Sequence, residues 1–217
     1  ATQRENARVR DVQEQLQSVQ AAISGFALVN GHLPCPATPA SDGYAAVSGT
    51  DCSVQHGFVP ATTLNVDGKR NADNLLLDPW GSPLRYSVTA SDANTDGRWD
   101  FTTPGEMRAI TMPMLQPDLV ICATSAGASA TACSGSDVTL SDQSPAVLYS
   151  LGKDWASFSS ADQQENVGAM LGGGATGQNY PVAANAVFVN RTRSSGSGSE
   201  FDDLLAGGEG VVGLHVL

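Results

Sequence analysis

Lysine is almost missing from this chain of 217 residues, which holds only Lys69 and Lys153, and basic residues as a whole are outnumbered, 11 Lys+Arg against 22 Asp+Glu for a formal net charge of -11. Such a surface repels nucleic-acid phosphates and anionic membrane faces at long range, so no nucleic-acid partner is expected. Long apolar runs are missing too: no stretch reaches the ~18 consecutive apolar residues that a membrane-crossing helix needs. The short signatures of catalysis are absent, with no Gly-x-Ser-x-Gly, no His-Glu-x-x-His and no histidine placed beside a nucleophile. The expectation is therefore a non-enzyme, although residues distant in sequence can still assemble a triad in space. Asp202 and Asp203 are adjacent, and on a strand they point to opposite faces, which is no signature of paired acid and base. A zinc site is disfavoured because His32, His56 and His215 show no ligand spacing and no Cys-x-x-Cys occurs.

What is present begins with a helical stripe. Val9, Val12, Leu16, Val19, Ile23 and Phe26 recur three and four apart, separated by Arg8, Arg10, Asp11, Gln13, Glu14, Gln15, Gln17 and Gln20. The spacing predicts one amphipathic helix over residues 1–30, broken at Asn30-Gly31, that offers a single apolar face. Two uses of that face stand side by side. Its C-terminal half covers the domain's own sheet, and its N-terminal half, where it overhangs, packs on other helices in an assembly. The chain starts without methionine, in helical stride and with weak capping signals, and shows no signal-peptide pattern, so an upstream apolar segment removed before this point is expected.

Residues 31–217 read as a globular, loop-rich sheet domain joined to that helix in a single unit. Pro34, Pro36 and Pro39 exclude helix and central strand, and Asp67-Gly68 marks a turn. The run 78–88 is read as a turn entering a β-strand, strands are predicted over 146–150 and 184–190, and 107–114 and 118–123 are read as strands or sheet edges. A short helix is predicted over 161–170, a flexible Gly-Ser linker over 193–200 and a small element over 201–205. The fold class is α+β: a long N-terminal amphipathic helix packed on an antiparallel β-sheet, with long loop insertions.

Four cysteines, Cys35, Cys52, Cys122 and Cys133, fall into two short intervals, read most simply as Cys35–Cys52 and Cys122–Cys133, although other connectivities and free thiols remain open. Disulfides imply an oxidising compartment. One segment has the residues of a cation site. Asp92, Asn94 and Asp96 at alternate positions, Gly97 at the sharp turn, the Arg98 carbonyl and Asp100 reproduce the opening of an oxygen-ligand calcium loop. Its terminal glutamate is absent, and Glu106 can substitute only where the loop folds back. The competing reading is an Asn/Asp turn capped by its own side chains, and this reading is favoured for a second acidic turn over 67–74. Trp80, Trp99 and Trp155 are read as packing residues rather than ligand platforms.

The run Asp78-Pro79-Trp80-Gly81-Ser82-Pro83-Leu84-Arg85-Tyr86, the half-exposed helix before it and Ser150-Leu151-Gly152-Lys153-Asp154 after it resemble the type IV pilin-like family, the pseudopilins and minor pilins of bacterial pilus and type II secretion machines. In that family a Trp-Gly-x-Pro-x-x-Tyr run marks where the chain enters the sheet, and Trp80, Gly81, Pro83 and Tyr86 carry it here. Leu33-Pro34-Cys35-Pro36-Ala37 and Phe201-Asp202-Asp203-Leu204 are similar to a subset of such proteins. The resemblance implies a filament subunit that assembles with other pilin or pseudopilin subunits through its N-terminal helix. It also implies anchorage in the bacterial inner membrane by the upstream segment, and a place in the periplasm or in a cell-surface filament. Insertions over 123–137 and 157–178 look more like a minor pilin or a decorated pseudopilin. The resemblance further implies calcium near the C-terminal sheet, which does not map onto 92–100. The rival reading is an extracellular binding or adhesin module with a calcium-stabilised loop, motivated by the Gly/Ser-rich loops and the acidic surface.

Overall fold

The computed structural model describes residues 2–195 and 201–205. Helix α1 runs Thr2–Asn30, 29 residues rich in Gln, Glu, Arg and Ala, which lose little rotamer freedom in a helix. It stops where Gly31 adopts φ +73° and returns its N–H to the Ala27 carbonyl at 2.8 Å, a left-handed cap that a side chain would strain. The remaining elements are β1 (Val47–Ser48), β2 (Asp51–Cys52), β3 (His56–Phe58), β4 (Arg85–Val88), α2 (Glu106–Ala109), β5 (Leu119–Cys122), β6 (Thr139–Ser144), β7 (Ala146–Ser150), α3 (Ala161–Glu165), β8 (Ala169–Leu171), β9 (Tyr180–Val182), β10 (Val187–Val189) and β11 (Leu204–Leu205).

The central sheet has the order β11-β7-β4-β3 and is antiparallel, with Tyr86 opposite Leu148 and Arg85 opposite Tyr149. Strand alternation sends Tyr86, Val88, Ala146 and Leu148 to one face, where they meet Val12, Leu16, Val19, Ile23 and Ala27 of α1. Val147 and Tyr149 point the other way, onto Leu119, Ile121 and Phe188 of a second sheet ordered β10-β5-β6. The molecule is thus three layers, helix, sheet and sheet, and β7 is buried on both faces, which is why Ala146-Val147-Leu148-Tyr149 reads as a continuous apolar run. Strand β5 is sandwiched as well: Leu119 and Ile121 face the central sheet, while Val120 and Cys122 join Val187 and Cys133 beneath the following loop.

Both disulfides form, Cys35–Cys52 and Cys122–Cys133, with Cα separations of 5.1 and 5.6 Å. The first ties the proline-rich exit from α1 to β2, and the second closes the loop after β5.

Several expectations are corrected. The sheets are not wholly antiparallel, because β10 pairs β5 in parallel, Phe188 opposite Ile121; a long connection through β6 to β9 makes that direction reachable. Residues 107–114 are not a strand but a helical turn, α2, and a 3-10 turn at Met112–Met114 with proline in its first turn. The helix predicted over 161–170 ends at Glu165. There the Asn166 side chain takes over the backbone groups of Val189, and the chain then pairs as β8 with β9. Within 193–200, Ser194 bridges Phe201 through both backbone bonds. Residues 196–200, and His215 beyond the last strand, lie outside the described residues.

Candidate functional site

The acidic loop predicted from sequence closes on itself through carboxylates. Asp92 accepts from the backbone N–H groups of Asp96 at 3.1 Å and Gly97 at 2.8 Å, and Asp96 accepts from Arg98 N–H at 3.0 Å. Thr95 and Gly97 take φ of +56° and +85°, which curls the chain so that its carboxylates reach its own amides. Asp100 reaches back across the loop, its Oδ2 accepting from Ala93 N–H at 3.0 Å. Its Oδ1 has no partner among the described residues although the residue is wholly buried. Burial pushes the Asp100 carboxyl above its ordinary range, and the charges of Asp92, Glu106 and Asp96 push the same way.

Glu106, the substitute for a terminal glutamate, does fold back. Its carboxylate accepts from Asn94 Nδ2 at 3.4 Å and pairs with Arg98 Nη1 at 3.3 Å. The C-terminal end of the loop is fastened to the rest of the chain: Asp51 of β2 accepts from Trp99 N–H at 3.1 Å and from the Thr103 hydroxyl, and Phe101 C=O receives the Leu33 N–H at 2.7 Å. Asp51 carried no sequence signal, since its role arises only when the β1–β2 hairpin is folded against the loop. Among the described residues no three His, Cys, Asp or Glu side chains are gathered closely enough to hold a metal as they stand. In the second acidic turn, Asn71 Oδ1 accepts from Asp73 and Leu75 N–H, and Asp73 holds Thr176, so that turn fastens a distant loop.

The Trp-Gly-x-Pro-x-x-Tyr run is a joint between α1 and the central sheet. Asp78 Oδ1 accepts from the N–H groups of Trp80 and Ser82, each at 2.9 Å, while its Oδ2 accepts from Ser150 Oγ at 2.7 Å, so one carboxylate binds the turn before β4 to the end of β7. Gly81 has φ +87°, which no L side chain adopts without strain. The Trp80 indole N–H reaches Glu5 of α1 at 3.5 Å, and Glu5 also pairs with Arg193 at 3.5 Å. Tyr86 and Leu84 are fully buried under α1. Trp80 and Trp99 pack on the core under α1 and Trp155 on the core behind the sheet, as expected of packing residues.

Below this joint lies a buried polar network that sequence reading missed. Arg85 is wholly buried, donates to Ser82, Pro83 and the Pro181 carbonyl, and lies 5.9 Å from the Phe58 ring centroid. Asp203 accepts from Asn166 Nδ2 at 2.7 Å, and Asp202 from Lys153 and Asp154 N–H at 2.6 and 3.1 Å and from Gln163 Nε2 at 2.7 Å. Gly152, with φ +65°, lies so close to Asp202 that any side chain would strike it. Burial pushes Asp203 up to about 8. These residues have no sequence periodicity in common, and only the meeting of β4, β7 and β11 brings them together. The adjacent Asp202 and Asp203 do diverge, one toward 152–154 and the other toward Asn166. Ser87 and His56 also meet, Nδ1 to Oγ at 2.9 Å, but Ser87 is fully buried and burial lowers the imidazole to about 4, the surroundings of a structural pair.

The stripe is placed differently from its expected division. Val12, Leu16, Val19 and Ile23 are at most 2% exposed, while Val9 and Phe26 are half-buried. The domain reaches α1 as far as Glu5, so the N-terminal half of the stripe does not overhang, and Val12 to Ile23 cannot meet another subunit without opening the protein's own core. Comparison of the chain with protein-family models, with curated proteins and with solved structures finds no match in any of the three.

Proposed function

We propose that this protein is a structural subunit, a minor pilin or pseudopilin, of a bacterial type IV pilus or type II secretion filament, and that it is not an enzyme. The observation that carries the reading is the position of the Trp-Gly-x-Pro-x-x-Tyr run at the joint between a 29-residue helix and an antiparallel sheet, where Asp78 ties the turn to β7 and Trp80 reaches Glu5 of the helix. A subunit that transmits force along a helical spine needs its head fixed to that helix, and this joint does so through the part-buried, charge-assisted Trp80–Glu5 bond and the packing of Leu84 and Tyr86 against the stripe of α1. Because the apolar stripe is committed to the core, contacts with neighbouring subunits fall to the outward faces of α1, which carry Arg8, Asp11, Glu14 and Ser18, and to its exposed end at Leu28 and Val29.

Expression of the gene with its natural upstream sequence, beside a prepilin peptidase and the host's pilin set, tests this. Cleavage by that peptidase, recovery in sheared filaments and cross-links from Arg8→Cys or Glu14→Cys to other pilins are the expected results. Export by an ordinary secretory signal with no trace in filaments would favour the extracellular binding module instead.

A further inference from the structure

We infer that residues 92–106 form a calcium site, with side-chain oxygens of Asp92, Asn94, Asp96 and Asp100, the Arg98 carbonyl and the Glu106 carboxylate as ligands. The donors are all oxygen and are carried on a curled loop rather than a rigid octahedral cage, a set that suits Ca²⁺ over zinc or magnesium.

Two observations carry the site beyond a cluster of acids. Asp100 Oδ1 is buried without a partner among the described residues, on a carboxylate whose other oxygen already bonds into the loop at Ala93 and whose acidic neighbours are Asp92, Asp96 and Glu106. An unpaired buried carboxylate oxygen is costly, and a cation brought to it removes that cost. The second is Glu106, which sequence places outside the loop and the fold returns to it. It is held by Asn94 and by Arg98, whose side chain is 51% exposed.

Without an ion, the Arg98 guanidinium supplies the positive charge. With one, it swings into solvent at little cost, and Glu106 closes the site in the role of the missing terminal glutamate. The carboxylates then contract from their present spread around the ion. Because Asp51 and Leu33 grip the loop, contraction stiffens the junction of the β1–β2 hairpin with the exit of α1. The inference does not depend on the filament reading, since a secreted binding module would carry the same loop.

The test is calorimetric titration of chelator-treated protein with CaCl2, beside Tb³⁺ luminescence sensitised by Trp99 within the loop. One saturable site, a rise in Tm with calcium and quenching of Tb³⁺ emission by calcium are expected. D96N and E106Q should weaken binding by about tenfold or more, and D67N, in a different acidic turn, should leave it unchanged. Asp96 is exposed, so D96N keeps the fold, which circular dichroism verifies. Absence of calcium heat, equal heats in wild type, D96N and E106Q, or equal response to magnesium at every site tested would overturn the assignment.

Discussion

Asp203 and His56 show how single buried titratable groups set the pH behaviour of the protein. Asp203 holds its proton up to about 8 when folded, against 3.8 as an ordinary aspartate, so the folded state binds the extra proton between those values and stability falls as pH rises through them. His56 works in the opposite sense. Its folded value near 4, against 6.5, means that the unfolded chain binds the extra proton there, and stability rises with pH up to about 6.5. The two slopes oppose one another between about pH 4 and 6.5 and leave Asp203 alone above it. Denaturant midpoints measured from pH 5 to 9 should therefore fall from pH 6.5 to 8, by up to ~2 kcal/mol, and level off beyond. D203N should abolish that fall and unmask the His56 rise below pH 6.5 that Asp203 offsets in the wild type, because an amide mimics the protonated acid and carries no charge to bury.

At the scale of elements, α1 and the two disulfide loops carry the next expectations. Leu16 is 2% exposed between the helix and the central sheet, so Leu16→Ala removes packed methyl groups and leaves a void. The cost should be about 2–5 kcal/mol in chemical denaturation, against ~0.5 kcal/mol or less for Gln13→Ala on the solvent side of the same helix. The disulfides close loops of similar order, with sequence separations of 17 and 11, and differ chiefly in access. Cys35 and Cys52 are 4% and 6% exposed beneath α1, whereas Cys133 is half-buried on a surface loop. Mild reductant followed by alkylation and mass mapping should open Cys122–Cys133 first, while Cys35–Cys52 persists until the protein unfolds.

The whole molecule behaves as one cooperative body if its three layers share their cores. Strand β7 belongs to both, with Leu148 under α1 and Tyr149 against the second sheet. Helical circular dichroism, dominated by α1, and the fluorescence of Trp80, Trp99 and Trp155 should therefore lose signal at a single thermal midpoint. A helix that melts at lower temperature than the sheet would mean that residues 1–30 are a separable spine.

Much of this architecture is readable along the chain because its causes are local. The stripe from Val12 to Ile23 dictates one amphipathic helix, Gly31 dictates its end, and the apolar run at 146–150 dictates a buried strand. Two cysteine pairs at short intervals favour two local loops, a pairing that the fold then fixed, and the alternating oxygens at 92, 94 and 96 with Gly97 dictate a curled acidic turn. What tertiary structure alone decided are the meetings of residues with no periodicity in common: β10 alongside β5 in parallel, Asp51 on the Trp99 amide, Glu106 returned to Asn94, and Arg85 beneath the sheet near Asp203. It also decided that the helical stripe serves the protein's own sheet. A stripe records that a face must leave water but not which surface covers it, and long-range polar contacts leave no period in a sequence because chain closure, not local conformation, brings their members together.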